Sequence, residues 1–209
     1  ILLYHLCQPL AIFLMVAIDE QILELKRQQK KEKYQSLETG FYIRDELLEF
    51  ERVLLEPMDL SIMLPTTFVT MPQSMVRVKY QSENRPQIIK TSLDTSVNFT
   101  FSLVPQEVRP EQLRSLVSQL KAVIQRMNPA NTFYDMKEEE TASQIPVCWF
   151  DYKGFAIDEQ VYYIMFALPW KDKQLIHGTF NCKYSDMNEW KEAARQAILS
   201  IEAKEEERV

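Results

Sequence analysis

Apolar and polar residues change period several times along the chain, and each change marks a predicted element. Val97, Phe99, Phe101 and Leu103 alternate with Ser96, Asn98, Thr100 and Ser102, the period of two that belongs to a strand with one apolar face. Pro110 then stands where a first helical residue belongs, since its missing N–H is not needed there. Behind it Leu113, Leu116, Val117, Leu120, Ile124 and Met127 recur at spacings of three and four, opposite Arg114, Gln119, Lys121 and Gln125, and Asn128-Pro129 ends the helix. From Ile145 to Ile201 three strands in series are predicted, closed by a second amphipathic helix. The middle strand, Val161 to Leu168, is apolar on both faces, which requires cover on both sides. In the closing helix Ser185 or Asp186 is the expected cap, Glu189 the partner in a capping box, and Trp190, Ala193, Ala194, Ala197, Ile198 and Ile201 the buried face.

Upstream, Phe50 to Leu55 and Leu60 to Leu64 flank Glu56-Pro57-Met58-Asp59, which predicts a hairpin ended by Pro65. Gln87 to Thr91 supplies another strand, and Met75 to Tyr80 suits either a helical turn or a strand. Lys137 to Glu140 reads as a charged loop or strand edge, with a solvated turn preferred over acidic metal binding. The predicted fold class is α+β: a three-layer α/β/α sandwich on a mainly antiparallel sheet, with an N-terminal helical extension.

The N-terminal part divides into an apolar segment at 1–18 and a charged helix at 19–36, with a break at Ser36 to Gly40. Three readings stand for the apolar segment. It is an upstream over-extension or fragment edge over residues 1–14, with Met15 close to the true start; or a membrane anchor, with Lys26, Arg27, Lys30, Lys31 and Lys33 marking the cytoplasmic side; or a packed or partner-binding helix. The basic cluster itself reads first as a solvated helix face and second as a partner or membrane-surface contact. The domain proper is expected over 50–203, and 204–209 form a charged tail.

Composition narrows the chemistry. The 209 residues carry 3 glycines, far apart at Gly40, Gly154 and Gly178, so a phosphate-cradling loop with closely spaced glycines is excluded. A formal charge of -6 and a pI near 5.1 argue against a nucleic-acid partner, which needs a large basic footprint. Three cysteines, Cys7, Cys148 and Cys182, lie in apolar or strand-like contexts and suggest reduced thiols in a cytosol, with a Cys148–Cys182 disulfide the lesser alternative. Two histidines and three cysteines without close spacing do not make a structural zinc site. Asn98-Phe99-Thr100 matches a glycosylation sequon but falls inside a predicted strand.

The enzymatic alternative rests on His177 as a base toward Cys148 or Cys182, oriented by Asp151 or Asp158. Cys182 lies five residues along the same strand and therefore on the opposite face. A paired-carboxylate site at Asp158-Glu159 or Glu138 to Glu140 is unsupported, because both stretches read as turns. Trp149, Phe150, Tyr152 and Phe155 cluster around one turn, either as core or as a contact patch. Trp170, in Pro169-Trp170-Lys171-Asp172-Lys173, is the preferred exposed anchor, so the candidate partner-binding residues are Trp170, Tyr152 and Phe155. No catalytic, cofactor-binding or metal-binding residue is assigned, and no cofactor is expected.

The order of elements resembles bacterial members of the PsbP-like superfamily. The likeness rests on Met63-Leu64-Pro65 leading to Phe68, Lys79-Tyr80, Arg85-Pro86-Gln87, Asn98-Phe99-Thr100-Phe101, Tyr162 to Leu168, His177-Gly178-Thr179-Phe180 and Trp190, within residues 50–203. That superfamily includes DcrB-like proteins, the Ran-binding Mog protein and Eag-type chaperones of secreted effectors. The resemblance implies a non-enzymatic protein-binding role, adaptor or chaperone-like and linked to protein secretion, with another protein, exported or membrane-bound, as partner. Cytoplasmic localisation is expected. The alternatives are a membrane-anchored, envelope-associated domain, or an enzyme of unrecognised type using His177.

Overall fold

The computed structural model describes residues 19–156 and 159–203. The apolar segment 1–18 with Cys7, the tail 204–209 and Asp158 lie outside the described residues. Helix α1 spans residues 19–33 and leads into three short strands, β1 (Gln35–Ser36), β2 (Gly40–Ile43) and β3 (Glu46–Leu48), paired antiparallel in that order. Gly40 adopts φ 86, a left-handed conformation that a side chain would strain, and a Cβ there would also press on the Leu48 carbonyl.

The expected hairpin follows as β4 (Phe50–Leu55) and β5 (Leu60–Pro65), joined through a single 3-10 turn at Glu56–Met58. After β6 (Val69–Thr70), the ambiguous stretch is helical, α2 (Gln73–Lys79), with its buried Val76 packed with Met71 and Ile89. Strands β7 (Ile88–Thr91) and β8 (Asn98–Val104) precede α3 (Pro110–Met127). Then come β9 (Thr132–Glu140), β10 (Pro146–Phe155), β11 (Gln160–Trp170), β12 (Gln174–Lys183), α4 (Met187–Leu199) and the short β13 (Glu202–Ala203).

Seven strands form one antiparallel sheet in the order β6-β7-β8-β12-β11-β10-β9. The stretch around Lys137 is a strand at the sheet's edge, not a solvated turn. Its charged side chains from Lys137 to Glu140 suit an edge, where they oppose pairing with another chain.

Strand β11 sorts its side chains as its doubly apolar pattern requires. Tyr162, Ile164, Phe166 and Leu168 enter the larger core with Phe99, Phe101, Phe180 and, from α4, Trp190, Ala193, Ala194, Ala197 and Ile198. Tyr163, Met165 and Ala167 enter the opposite core with Leu113 and Val117 of α3. The two helices thus cover opposite faces, giving the three-layer α+β arrangement. Leu116, Leu120 and Ile124 pack at the edge of the α3 core, whereas Met127, at the end of that predicted face, is 80% exposed. The hairpin's Leu60, Ile62 and Leu64 complete the α4 side, and β13 pairs with β5 to close it.

Residues N-terminal to 50 contribute to that core too. Phe41 and Ile43 of β2 are buried in the same cluster as Trp190 and Leu64. Strands β1–β3 are therefore packed on the sandwich through α4 rather than standing apart from it.

Candidate functional site

The aromatic residues singled out in the sequence do not form one surface. Strand β10 runs through to Phe155, and the chain turns afterwards, where the Ala156 N–H donates to the Glu159 carbonyl at 2.9 Å. Tyr152 consequently sits in mid-strand, stacked between Phe133 and Tyr163 with ring centroids at 5.2 and 4.9 Å, and buried beneath α3. Trp170 is half-buried against the large core, and its Nε1–H donates to the Met58 carbonyl at 2.9 Å, tying the end of β11 to the turn of the β4–β5 hairpin. Burial takes the Tyr152 ring out of the contact surface expected of it, whereas Trp170 stays half-exposed with its Nε1–H committed to the hairpin turn. Phe155 alone is well exposed, at 45%, beneath the Lys153 ammonium.

The candidate nucleophile pair is not assembled either. Cys148 pairs with Ala167 on one side of β11, and His177 pairs with the same Ala167 on the other. Two inter-strand steps of about 4.8 Å separate them, beyond the hydrogen-bond reach a base needs to activate a thiol. Burial, the main cause, pushes the Cys148 thiol up to about 11, and burial lowers His177 below its ordinary value. The His177 Nε2 is buried with no hydrogen-bond partner among the described residues. Cys182 lies in the opposite core from Cys148, so the alternative disulfide cannot form, and both thiols are free.

Asp151 is fully buried but committed to the framework. It accepts the Asp135 N–H at 2.6 Å and the Tyr162 hydroxyl at 2.7 Å, and pairs with Lys191 of α4 at 2.7 Å. One turn on, Arg195 pairs with Glu139, which also accepts the Trp149 Nε1–H at 2.7 Å. These contacts bolt α4 to strands β9 and β10. Among the described residues no three His, Cys, Asp or Glu side chains converge as metal ligands.

Among the described residues, three cavities lie around β1–β3. A cleft of about 270 Å³ opens between the β2–β3 hairpin, the loop before β6 and the loop from β7 to β8. Ile43, Leu48, Phe68, Val97 and Trp190 supply apolar walls; Arg44, Glu46 and Asp94 supply charge. Trp190 belongs here because α4 presents it to the core at the helix's first turn, with its ring 6.1 Å from Phe68 and 5.8 Å from Phe180. Its Nε1–H is buried without a hydrogen-bond partner among the described residues. Leu93 lines the same cleft and is 76% exposed.

The cleft's rim is held electrostatically. Arg44 and Asp45 turn the hairpin with φ 49 and 64, both left-handed, as a two-residue hairpin turn requires. Aspartate tolerates that conformation and arginine does not favour it, and both are pinned: Arg44 pairs with Asp186 and its N–H donates to Glu189 at 2.8 Å, while Asp45 pairs with Arg27 at 2.9 Å. Asp186 and Glu189 thereby serve the hairpin rather than the capping box expected of them, and Asp186 makes no side-chain cap to α4. Across the cleft, Asp94 accepts from Ser92 Oγ at 2.6 Å and from Ser96 N and Oγ, with Arg44 at 3.8 Å. Partial burial pushes the Asp94 carboxyl up, but these hydrogen bonds and the Arg44 charge outweigh it and bring it down to about 2.

Two further cavities border the same small sheet. One, of about 610 Å³, lies between α1 and β2 and is lined by Leu23, Lys26, Arg27, Lys30, Lys33, Tyr34 and Tyr42, among others. The other, of about 240 Å³, lies between β1, β2 and the start of α4. No motif marked this region in the sequence; the basic cluster was its single visible signal.

No family model matches the chain, and no curated protein sequence matches it. Solved structures do. The solution structure of cyanobacterial PsbP (CyanoP) from Synechocystis sp. PCC 6803 superimposes with a TM-score of 0.52 at 8% identity, over 76% of this chain and 94% of that one. The Ran-binding protein Mog1p of Saccharomyces cerevisiae gives 0.49 at 8% identity, over 76% and 97%. LpqN of Mycobacterium tuberculosis, involved in cell envelope biogenesis, gives 0.47 at 12% identity, over 75% and 92%. The molecule has the PsbP-like α+β fold, as the residues had indicated, with an N-terminal helix. Among the described residues no helix is long and apolar enough to cross a membrane.

Proposed function

We propose that this protein is a non-enzymatic protein-binding module that receives its partner at the cleft between the β2–β3 hairpin and the β7–β8 loop. The observation that carries the reading is the pairing of an apolar, Trp-lined floor with a polar rim and a prominent leucine at its mouth. Binding energy at protein interfaces concentrates in such desolvated apolar pockets ringed by polar groups. The occupant that fits is a polypeptide setting one apolar side chain on the floor that the packed Phe68 and Trp190 rings form, with polar groups of both signs set against Arg44, Glu46 and Asp94. The separation of Cys148 from His177 by a full strand supports binding rather than covalent chemistry.

The finer form of the proposal is an adaptor or chaperone-like role toward an exported or membrane protein, on the cytoplasmic side. It draws on the superfamily resemblance and on the two free, buried thiols, the usual state of cysteine in a reducing compartment. The test compares three forms of the tagged full chain in quantitative affinity purification from the native source: wild type, Leu93→Glu, and Met127→Glu as an exposed apolar control on α3. A polypeptide retained by wild type and Met127→Glu but lost with Leu93→Glu, at unchanged melting temperatures, supports the proposal. Equal retention by Leu93→Glu, or no selectively retained polypeptide, overturns it.

A further inference from the structure

The second cleft has a charge opposite to that of the molecule. The chain carries a formal charge of -6, yet Lys26, Arg27, Lys30 and Lys33 line the cavity of about 610 Å³ with Asp45 as their one carboxylate neighbour in its wall. Arg27 is compensated, pairing with Asp45 at 2.9 Å and Glu24 at 3.8 Å. Lys30 rests on Tyr42, with Nζ 4.9 Å from the ring centroid and 3.3 Å from the hydroxyl, and Lys33 rests on Tyr34 at 5.0 Å. Among the described residues, Lys26, Lys30 and Lys33 have no carboxylate partner. Lys31, on a neighbouring face, pairs with Glu189 at 2.7 Å and helps hold α1 in place.

Positions 26, 30 and 33 follow one face of α1, so three like charges lie one turn apart and repel. The tyrosine rings beneath two of them supply partial compensation through their π faces. A bound anion would relieve the rest. Leu23 extends the same face by another turn, 56% exposed, and closes the cleft with an apolar wall.

From this we infer that the α1–β2 cleft is a docking site for an acidic polypeptide segment, one that spaces carboxylates along the lysine row and sets an apolar side chain against Leu23. The concave shape favours a narrow segment over a flat anionic membrane, which would meet the exposed side of the helix rather than a cavity. The inference rests on the protein-binding reading given above and adds the charge of the partner. The cleft is contiguous with the first one through the β2–β3 hairpin, since Asp45 lines one and Arg44 the other.

The experiment measures fluorescence anisotropy of a labelled glutamate-rich peptide containing leucine against the full chain, at low and physiological salt. Alongside wild type it uses Lys26→Glu/Lys30→Glu/Lys33→Glu, and a charge-matched control reversing Arg77, Arg85 and Arg126, which lie away from the cleft. Binding that weakens by about tenfold or more in the triple variant, as the loss of three surface attractions implies, and that persists in the control, supports the inference; salt should weaken it as well. No binding by wild type, or equal loss in the control, overturns it. Sedimentation with phosphatidylserine vesicles that is abolished by the triple reversal, without peptide binding, overturns it in favour of a membrane contact. If the polypeptide lost with Leu93→Glu is still retained by the triple variant, the binding-module reading survives and the acidic-segment inference falls alone.

Discussion

The ring of Phe166 fills the space that a side chain on Gly178 would occupy. The two residues face each other across β11 and β12, and a Cβ built at Gly178 would collide with the Phe166 ring atoms. Phe166 is also edge-on to Phe101 at 6.1 Å, so it has little room to withdraw. Gly178→Ala is expected to destabilise the fold by about 1–3 kcal/mol, the usual penalty of overpacking a core. Adding Phe166→Leu, which vacates the ring's place, should recover part of the loss. Urea unfolding of the single and double variants checks both statements, and an unaltered midpoint for Gly178→Ala would contradict the packing described.

Lys191 is the counter-charge of a carboxylate with no access to water. Its side chain is 31% exposed, whereas that of Asp151 is 0% exposed. Partial burial lowers the affinity of the Lys191 amine for its proton, yet the hydrogen bonds to Asp135 and Asp151 more than offset this and hold it above its ordinary value. Lys191→Met leaves the buried Asp151 with two uncharged donors, the Asp135 N–H and the Tyr162 hydroxyl, and no counter-charge, and breaking such a pair from one side costs about 3–5 kcal/mol. In an Asp151→Asn background the same replacement should cost far less, because no buried charge is stranded. A double-mutant cycle by chemical denaturation measures the difference. Equal costs in the two backgrounds would mean that the pair contributes nothing.

Acid should loosen the rim of the Trp190 cleft through Asp94. Its carboxyl is depressed in the folded state to about 2, against an ordinary 3.8, so the stability it contributes is present above about pH 4 and is lost as pH falls toward 2. Asp94→Ala is expected to melt lower than wild type near neutrality and to converge with it at about pH 2. Asp135 and Glu139 are held low as well, by Lys191 and Arg195, so wild type and variant share a further acid limb and the informative quantity is the gap between their curves. Thermal melts from pH ~6 to ~2 read it; a constant gap would show that Asp94 titrates alike folded and unfolded.

The long elements were legible because each carries a complete local pattern. Strand β8 alternates from Asn98 to Leu103, α3 has both a face and a start signal at Pro110, and β11 is apolar on both faces. Strand β9 was misread because its edge position leaves it charged and half-exposed, which removes the alternation that a covered strand shows. The β2–β3 hairpin was missed for a different reason. Its turn residues are Arg44 and Asp45, without the glycine or asparagine that announces left-handed φ, and they hold that conformation through Asp186, Glu189 and Arg27, up to 145 residues away in sequence.

Site residues were less legible than strands. Tyr152 and Trp170 have the composition of a contact surface, but the length of β10 decides that Tyr152 is buried, and the position of the Met58 carbonyl decides that Trp170 is half-buried and tethered. Trp190 was correctly assigned to a buried helix face, and nothing local shows that it also floors a cleft.

By itself, then, the amino-acid order determines the periods of the long strands and helices, the three layers they demand, and the exclusion of glycine-rich phosphate chemistry. Those follow from side-chain alternation and backbone freedom, which act over a few residues. Tertiary structure alone decides that the N-terminal strands join the core, that Cys148 and His177 are held a strand apart, and that a basic helix face closes over two tyrosines of an acidic protein. Each depends on pairings between distant segments, and register in a sheet is set by the whole packed face rather than by any one strand.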